Sequence, residues 1–302
     1  LRTERRAVDA ILRWGIDVVL WMQRASPTLD GLFKALTFLG SEEFYLLLLP
    51  LVYWCIDRAL GARLIVLLLF SAVVNTVVKL VAAQPRPFMY DSRVKAIATE
   101  STYGFPSAHA QNATAVWGLL GRTVRRRWFW GAIGALVAGI GVSRVYLGVH
   151  FPTDVLGGLA LGVVALWAFV RYWPAVRRWL SGLRVSVQLA VTILGPLALL
   201  FFERSESVAL GVGTMVGVGA GMVLERRLVR FDTAGTVGRR IIRLLVGGLV
   251  LVGIWAGLRS VFTGLEPAIV LRVIRYGLVG LWGTLGAPWS FVRLRIAGQM
   301  PA

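Results

Sequence analysis

Apolar stretches recur along this chain at the length of membrane spans. They run at roughly 7–23, 42–57, 61–83, 107–121, 128–147, 152–172, 183–202, 207–224, 241–262 and 268–291, most near the ~20 residues a helix needs to cross a ~30 Å hydrocarbon core. In hydrocarbon each segment must satisfy its own backbone N–H and C=O groups, so stretches of this kind fold as helices. Composition agrees, because only 16% of residues are charged where a soluble domain averages about 25%. The expectation is an all-α polytopic membrane bundle of about ten transmembrane helices. The first stretch admits two readings. Asp9, Arg13 and Asp17 fall at i, i+4 and i+8, a polar stripe that suits an interfacial helix or a spanning helix paired inside the bundle. The same charges interrupt the apolar run that a cleavable signal peptide requires.

A net charge of +18 suits nucleic acid until the basic residues are sorted by connection. One set of connections holds Arg58 and Arg63, Arg122 with Arg125–Arg127, Arg171 with Arg177, Arg178 and Arg184, Arg226 through Arg243, and Arg293 with Arg295. The alternate connections are sparse. This alternation is the positive-inside bias of a membrane protein, which puts the arginine-rich side in the cytoplasm and implies a bilayer, with no nucleic acid, as the partner. The single cysteine, Cys55, lies in an apolar stretch and is expected to be core packing. Asn112-Ala113-Thr114 matches a glycosylation acceptor, but it falls inside an expected span where the machinery does not reach.

The segment 171–184, with four arginines, three aromatics and a proline, reads as a cytoplasmic interfacial connection. It divides the chain into an N-terminal helix and loop (1–41), a core (42–172) that holds the unusual polar residues, the connection (173–184), and a four-helix C-terminal extension (185–302). Gly213, Gly217 and Gly221 repeat every four residues and leave one helical face as bare backbone, suited to close packing within the chain or against a second copy in a homodimer.

Ionisable residues at membrane depth are expensive, so three clusters stand out. In KLVAAQPRP (79–87), Lys79 and Arg86 are two turns apart and Pro85 and Pro87 end the helix; taken alone, these are as well explained by snorkelling cations. In GFPSAHAQNAT (104–114), Ser107 is a natural N-cap, and the amides behind it form an anion site that His109 faces; the plain alternative is an ordinary capped helix. In SRVYLGVHFPTD (143–154), Arg144 closes one helix and His150 opens the next with Asp154 four residues on. There a carboxylate can take the imidazole Nδ1–H and free Nε2, as nucleophilic or base catalysis requires, or simply fix a helix start. Successive spans bring all three clusters to the face opposite the arginine-rich one. Three cations, a serine, amide donors, two histidines and a carboxylate describe a phosphate site; two histidines and an aspartate could ligate a metal, but Lys79, Arg86 and Arg144 would repel it.

Lys79-x6-Arg86-Pro87, Pro106-Ser107-Ala108-His109 and Ser143-Arg144-x5-His150-x3-Asp154 resemble, in order, the three signatures of the type 2 phosphatidic acid phosphatase superfamily, over roughly residues 40–172. Ala108 stands where that family usually has glycine, and YGFPSAHAQN is similar to the stretch in sphingosine-phosphate phosphatases that also lacks it. The resemblance implies a six-helix phosphatase core and a lipid phosphate phosphatase that uses no metal and no cofactor. His150 would form a phosphohistidine, Asp154 would hold its ring, and His109 would protonate the leaving oxygen and then activate water. Lys79, Arg86, Ser107, the Ala108 amide and Arg144 would bind the phosphoryl oxygens. The substrate would be a phosphorylated lipid, reached at the extracytoplasmic face of the cell (inner) membrane. A phosphotransferase or glucose-6-phosphatase-like enzyme of the same superfamily, or a carrier of lipid or phosphorylated solute that uses the site only for binding, are the alternatives.

Overall fold

The computed structural model describes residues 2–263, 265 and 269–300, with side chains from residue 9 onward; residue 268 and the extreme ends of the first and last expected segments lie outside the described residues. About 79% of the chain is helical, as the apolar stretches demand. In order come α1 (Arg2–Gln23), α2 (Asp30–Phe38), α3 (Glu42–Leu51, extended by a wider turn over Val52–Ile56), α4 (Arg58–Ala82) and the single turn α5 (Pro87–Tyr90). Next are α6 (Ala108–Val124), α7 (Arg127–Tyr146), α8 (Pro152–Gly182), α9 (Val185–Ala198) and α10 (Glu206–Leu228). The chain closes with β1 (Phe231–Asp232), α11 (Val237–Phe262), α12 (Ile269–Leu281), α13 (Ala287–Arg293) and β2 (Gly298–Gln299). The two short strands pair antiparallel, Phe231 opposite Gln299.

Among the described residues six segments are long and apolar enough to cross a membrane, and α2 with α3, bent by 46°, makes a seventh if counted as one span. The expected ten adds α1, α6 and α9. Asp9, Arg13 and Asp17 lie exposed on one side of α1, while Leu12, Ile16 and Val19 on the adjoining face are buried. α6 has 17 residues and α9 has 14. Residues 173–182, expected as a connection, instead continue α8 as helix, with Pro174 inside it. Arg, Leu and Ala are good helix formers, and their summed preference carries the helix past a single proline.

The chain forms two compact units, residues 1–46 with 70–171 and residues 47–69 with 172–302. In the first, Leu12, Ile16, Val19, Ala110, Val145, Phe151 and Val155 share a core. There α8 approaches α6 through bare backbone: a Cβ on Gly158 would meet the Ser107 carbonyl at 2.5 Å, and one on Gly162 the Gln111 carbonyl at 2.6 Å. In the second unit, Tyr53, Trp54 and Cys55 pack with Val229, Phe231, Ala287 and Phe291. Cys55 is therefore core packing, as expected. The fully buried Arg243 ties this cluster together, donating to the carbonyls of Trp54, Thr233, Ala234 and Ile296. The Gly213, Gly217 and Gly221 face of α10 is covered by α12, at Val273 and Gly277, and by Thr284 in the turn that follows it, so the stripe packs within the chain.

Candidate functional site

All eight residues singled out from the sequence, Lys79, Arg86, Ser107, Ala108, His109, Arg144, His150 and Asp154, lie in the first unit, at five helix ends. Lys79 sits in the last turn of α4. The chain then leaves the helix at Ala83, where φ is +44°, and Arg86 precedes Pro87 at the first position of α5. The prolines act as expected, because each removes a donor and fixes φ near −65°. Ser107 caps α6, its Oγ accepting from the Ala110 amide at 3.5 Å. The Ala108 and His109 amides, first in the helix, have no intrahelical acceptor and remain for an anion. Alanine at 108 takes helical geometry, so its amide is presented as a glycine's would be.

Arg144 lies in the last turn of α7, and the turn that follows depends on Gly148. Its φ is +74°, and an added Cβ would run into the Lys95 carbonyl and come within 2.8 Å of Gln23 Nε2. That turn presents His150, whose amide reaches back to the Arg144 carbonyl. Asp154 stands in the first turn of α8 and is fully buried. Its Oδ2 lies 3.3 Å from His150 Nδ1 and accepts the Phe151 amide at 2.9 Å, while Oδ1 accepts from Gln84 Nε2 at 2.6 Å. Three partners fix this carboxylate, and through it the ring.

The two histidines each face an arginine. Arg86 Nη1 lies 3.3 Å from His150 Nε2 and donates to the Val149 carbonyl at 2.8 Å. Arg144 Nη1 lies 3.4 Å from His109 Nε2 and donates to Thr37 Oγ1 at 2.8 Å. Lys79 Nζ donates to the Tyr103 carbonyl. Arg144 Nε is buried with no partner among the described residues. Burial first, then the charges of Arg144, Arg86, Lys79 and His109, hold the His150 imidazole well below its ordinary value. At neutral pH the ring is uncharged, and a proton on Nδ1 toward Asp154 leaves the Nε2 lone pair toward Arg86.

Glu100 is the residue that sequence reasoning missed. Its carboxylate bridges the two arginines, Oε2 accepting from Arg86 Nη2 at 3.2 Å and Oε1 from Arg144 Nη2. It comes from the irregular segment between α5 and α6, where no periodicity marks it; being an acid among cations was its only signal. Thr37, from α2, and Gln84 were also missed. A polar ladder backs the site: Asn75 Nδ2 donates to Gln111 Oε1 at 2.8 Å and to the Pro106 carbonyl at 3.3 Å, and Gln111 Nε2 donates to the Ser71 carbonyl at 2.8 Å. Here the signal was legible, since Ser71 and Asn75 are polar residues one turn apart in an apolar helix.

Residues 60–178 match the PAP2 superfamily, and residues 209–299 match the PAP2 superfamily phosphatase transmembrane extension. Together the two matches take in more than half of the chain, and the first contains all eight site residues. The chain is similar to lipid phosphate phosphatase delta of Arabidopsis thaliana, 31% identical over 50% of this chain and 40% of that protein. It is also similar to sphingosine-1-phosphate phosphatase 2 of Mus musculus, 34% identical over 48% of this chain and 43% of the relative. It thus spans about two fifths of the length of these two relatives. Among solved structures it is similar to a transmembrane PAP2 type phosphatidylglycerolphosphate phosphatase from Bacillus subtilis, at 24% identity and a TM-score of 0.46 over 58% of this chain and 88% of that one.

Proposed function

Because the chain belongs to the PAP2 superfamily and carries that family's transmembrane extension, we propose that it removes a phosphate from a phosphorylated lipid through a phosphohistidine, without a metal. The observation that carries the reading is His150, held at Nδ1 by Asp154 and directed at Nε2 toward Arg86. A phosphoryl group on Arg86, Arg144, Lys79 and the Ser107–His109 helix start would put phosphorus in front of that nitrogen.

In the first step the Nε2 lone pair forms a P–N bond while the P–O bond to the lipid breaks, and the leaving oxygen takes a proton from His109, whose imidazole burial and then Arg144 hold low in the protein alone and which the negative charge of a bound phosphate favours in its protonated form. In the second step His109 takes a proton from water, whose oxygen bonds to phosphorus as the P–N bond breaks, and inorganic phosphate leaves. Monoester hydrolysis is accelerated by up to ~10²¹, roughly 29 kcal/mol, whereas one well-placed donor supplies about 3–4 kcal/mol. A collective site of cations and amides is what such a barrier requires. Lipid phosphatases among its relatives and the membrane-embedded helices favour a substrate whose tail stays in the bilayer. The arginine-rich connections favour a site facing away from the cytoplasm of the cell membrane, with α1, α6 and α9 completing ten helices, a core over 42–172 and an extension from 185.

Purified protein offered phosphatidate, isoprenyl diphosphates and sphingoid phosphates is expected to release phosphate from at least one class in the presence of EDTA. His150→Ala is expected to abolish release. Activity that EDTA removes and Mg²⁺ restores would overturn the metal-free proposal.

A further inference from the structure

In the second unit a small open recess lies among α4, α8 and α10. Four arginines line it, Arg58 and Arg63 from the start of α4, Arg177 from the end of α8 and Arg226 from the end of α10. One carboxylate, Glu225, faces them and is already spent. It is buried, its Oε1 lies 2.7 Å from Arg58 Nη1, and the same oxygen accepts the Phe231 amide at 2.8 Å. Arg63 Nε reaches only a carbonyl of its own helix, Ala59, at 3.4 Å. Neither Arg177 nor Arg226 forms an ion pair with a described residue. Three uncompensated guanidiniums therefore converge on one cavity.

Like charges gathered this closely repel unless an anion lies between them. A guanidinium is a planar fork of donors that fits phosphate oxygens two at a time, and three such forks suit a tetrahedral anion better than a flat carboxylate. Trp173, on the rim of the recess, is the kind of side chain that settles at head-group depth. Basic pockets between spanning helices at the arginine-rich face take phospholipid head groups. Arg58 opens α4 and Arg177 is near the end of α8, at the ends of those helices away from Lys79 and Asp154.

We propose that this recess binds a phosphate-bearing anion, the head group of an anionic phospholipid of the arginine-rich leaflet, at a second site unconnected with hydrolysis. The transmembrane extension, which supplies Arg226 and Glu225, thereby gains a role as a lipid-binding element.

The full chain, purified in detergent, is titrated separately with dioleoylphosphatidylglycerol, dioleoylphosphatidylcholine and inorganic phosphate, with native mass spectrometry and melting temperature as readouts. One phosphatidylglycerol per chain is expected to be retained and to raise the melting temperature, whereas phosphatidylcholine is not. Arg177→Gln combined with Arg226→Gln is expected to weaken retention about 30-fold, and Arg86→Gln to leave it unchanged. Stabilisation by phosphate that the double variant loses, with no lipid adduct, would support the same site with free phosphate as its occupant. Equal retention of both lipids, full retention in the double variant, loss in Arg86→Gln, or no binding of any of the three would overturn the proposal. If the double variant does not fold, the single changes Arg63→Gln and Arg177→Gln are expected to cost about 5-fold each, and wild-type affinity in both would overturn it.

Discussion

Replacing Glu100 by glutamine is expected to make the protein bind phosphate more tightly. In the resting site the Glu100 carboxylate lies on Arg86 and Arg144, the groups proposed to receive the phosphoryl oxygens, so a substrate must displace it. Charge-assisted hydrogen bonds contribute about 1.5–3 kcal/mol each and neutral ones about 0.5–1.5. Turning two of the first kind into the second weakens the competitor by about 1 kcal/mol per bond, roughly 2 kcal/mol in all, a ~30-fold gain in anion affinity. An amide also offers one acceptor oxygen where the carboxylate offers two. The assay is inhibition of lipid phosphate hydrolysis by inorganic phosphate and by vanadate, with KM measured alongside. Both inhibition constants and KM should fall in Glu100→Gln, and Glu100→Asp, which keeps the charge but is too short to bridge both arginines, should lie between. A folded Glu100→Gln protein with unchanged or weaker phosphate inhibition would refute the reasoning and make Glu100 a strut for the arginines.

Asp154→Asn should keep the fold and lower turnover by about 10⁴, the scale seen when the carboxylate that orients a catalytic histidine becomes an amide; a loss under tenfold would contradict its role. His150 is held neutral by burial and nearby cations, so the acid limb it sets in kcat/KM should lie below pH ~6.5, and Arg144→Gln, which removes the largest of those charges, should move that limb upward. The same depression has a stability sign. Below pH ~6.5 the unfolded chain binds a proton on this residue that the folded chain refuses, so the melting temperature in detergent should fall between pH 7.5 and 5.5, less so in His150→Ala. Gly158→Ala would set a methyl 2.5 Å from the Ser107 carbonyl; overpacking of this kind costs about 1–3 kcal/mol, and pushing α6 off α8 should lower both melting temperature and turnover.

The three polar clusters were legible because each is short and local. Prolines mark where α4 stops, a serine marks where α6 starts, and an i, i+4 spacing pairs His150 with Asp154. What joins them was not. Glu100 and Thr37 act through the path of irregular chain and the docking of a short helix, which no periodicity encodes. Helix count was legible to the extent that length and hydropathy agree, and it blurred at α1, α6 and α9, where one or the other falls short. The connection expected over 173–184 is helical as far as Gly182, because the arginines that mark a membrane edge are also good helix formers.

The assignment of residues 47–69 to the second unit changes what the transmembrane extension is. Val52, Tyr53, Trp54 and Cys55 are almost wholly buried, and the other buried members of the cluster that holds the last three come from beyond residue 228. Trp54 even donates its indole N–H to the Gly283 carbonyl at 2.8 Å. A chain cut after α8 would bare this aromatic patch on a segment that leads directly into α4 and Lys79. Removing the extension would thus require new residues at 52–55. The stretch 52–55 and the extension are two halves of one core, and neither keeps a buried surface without the other.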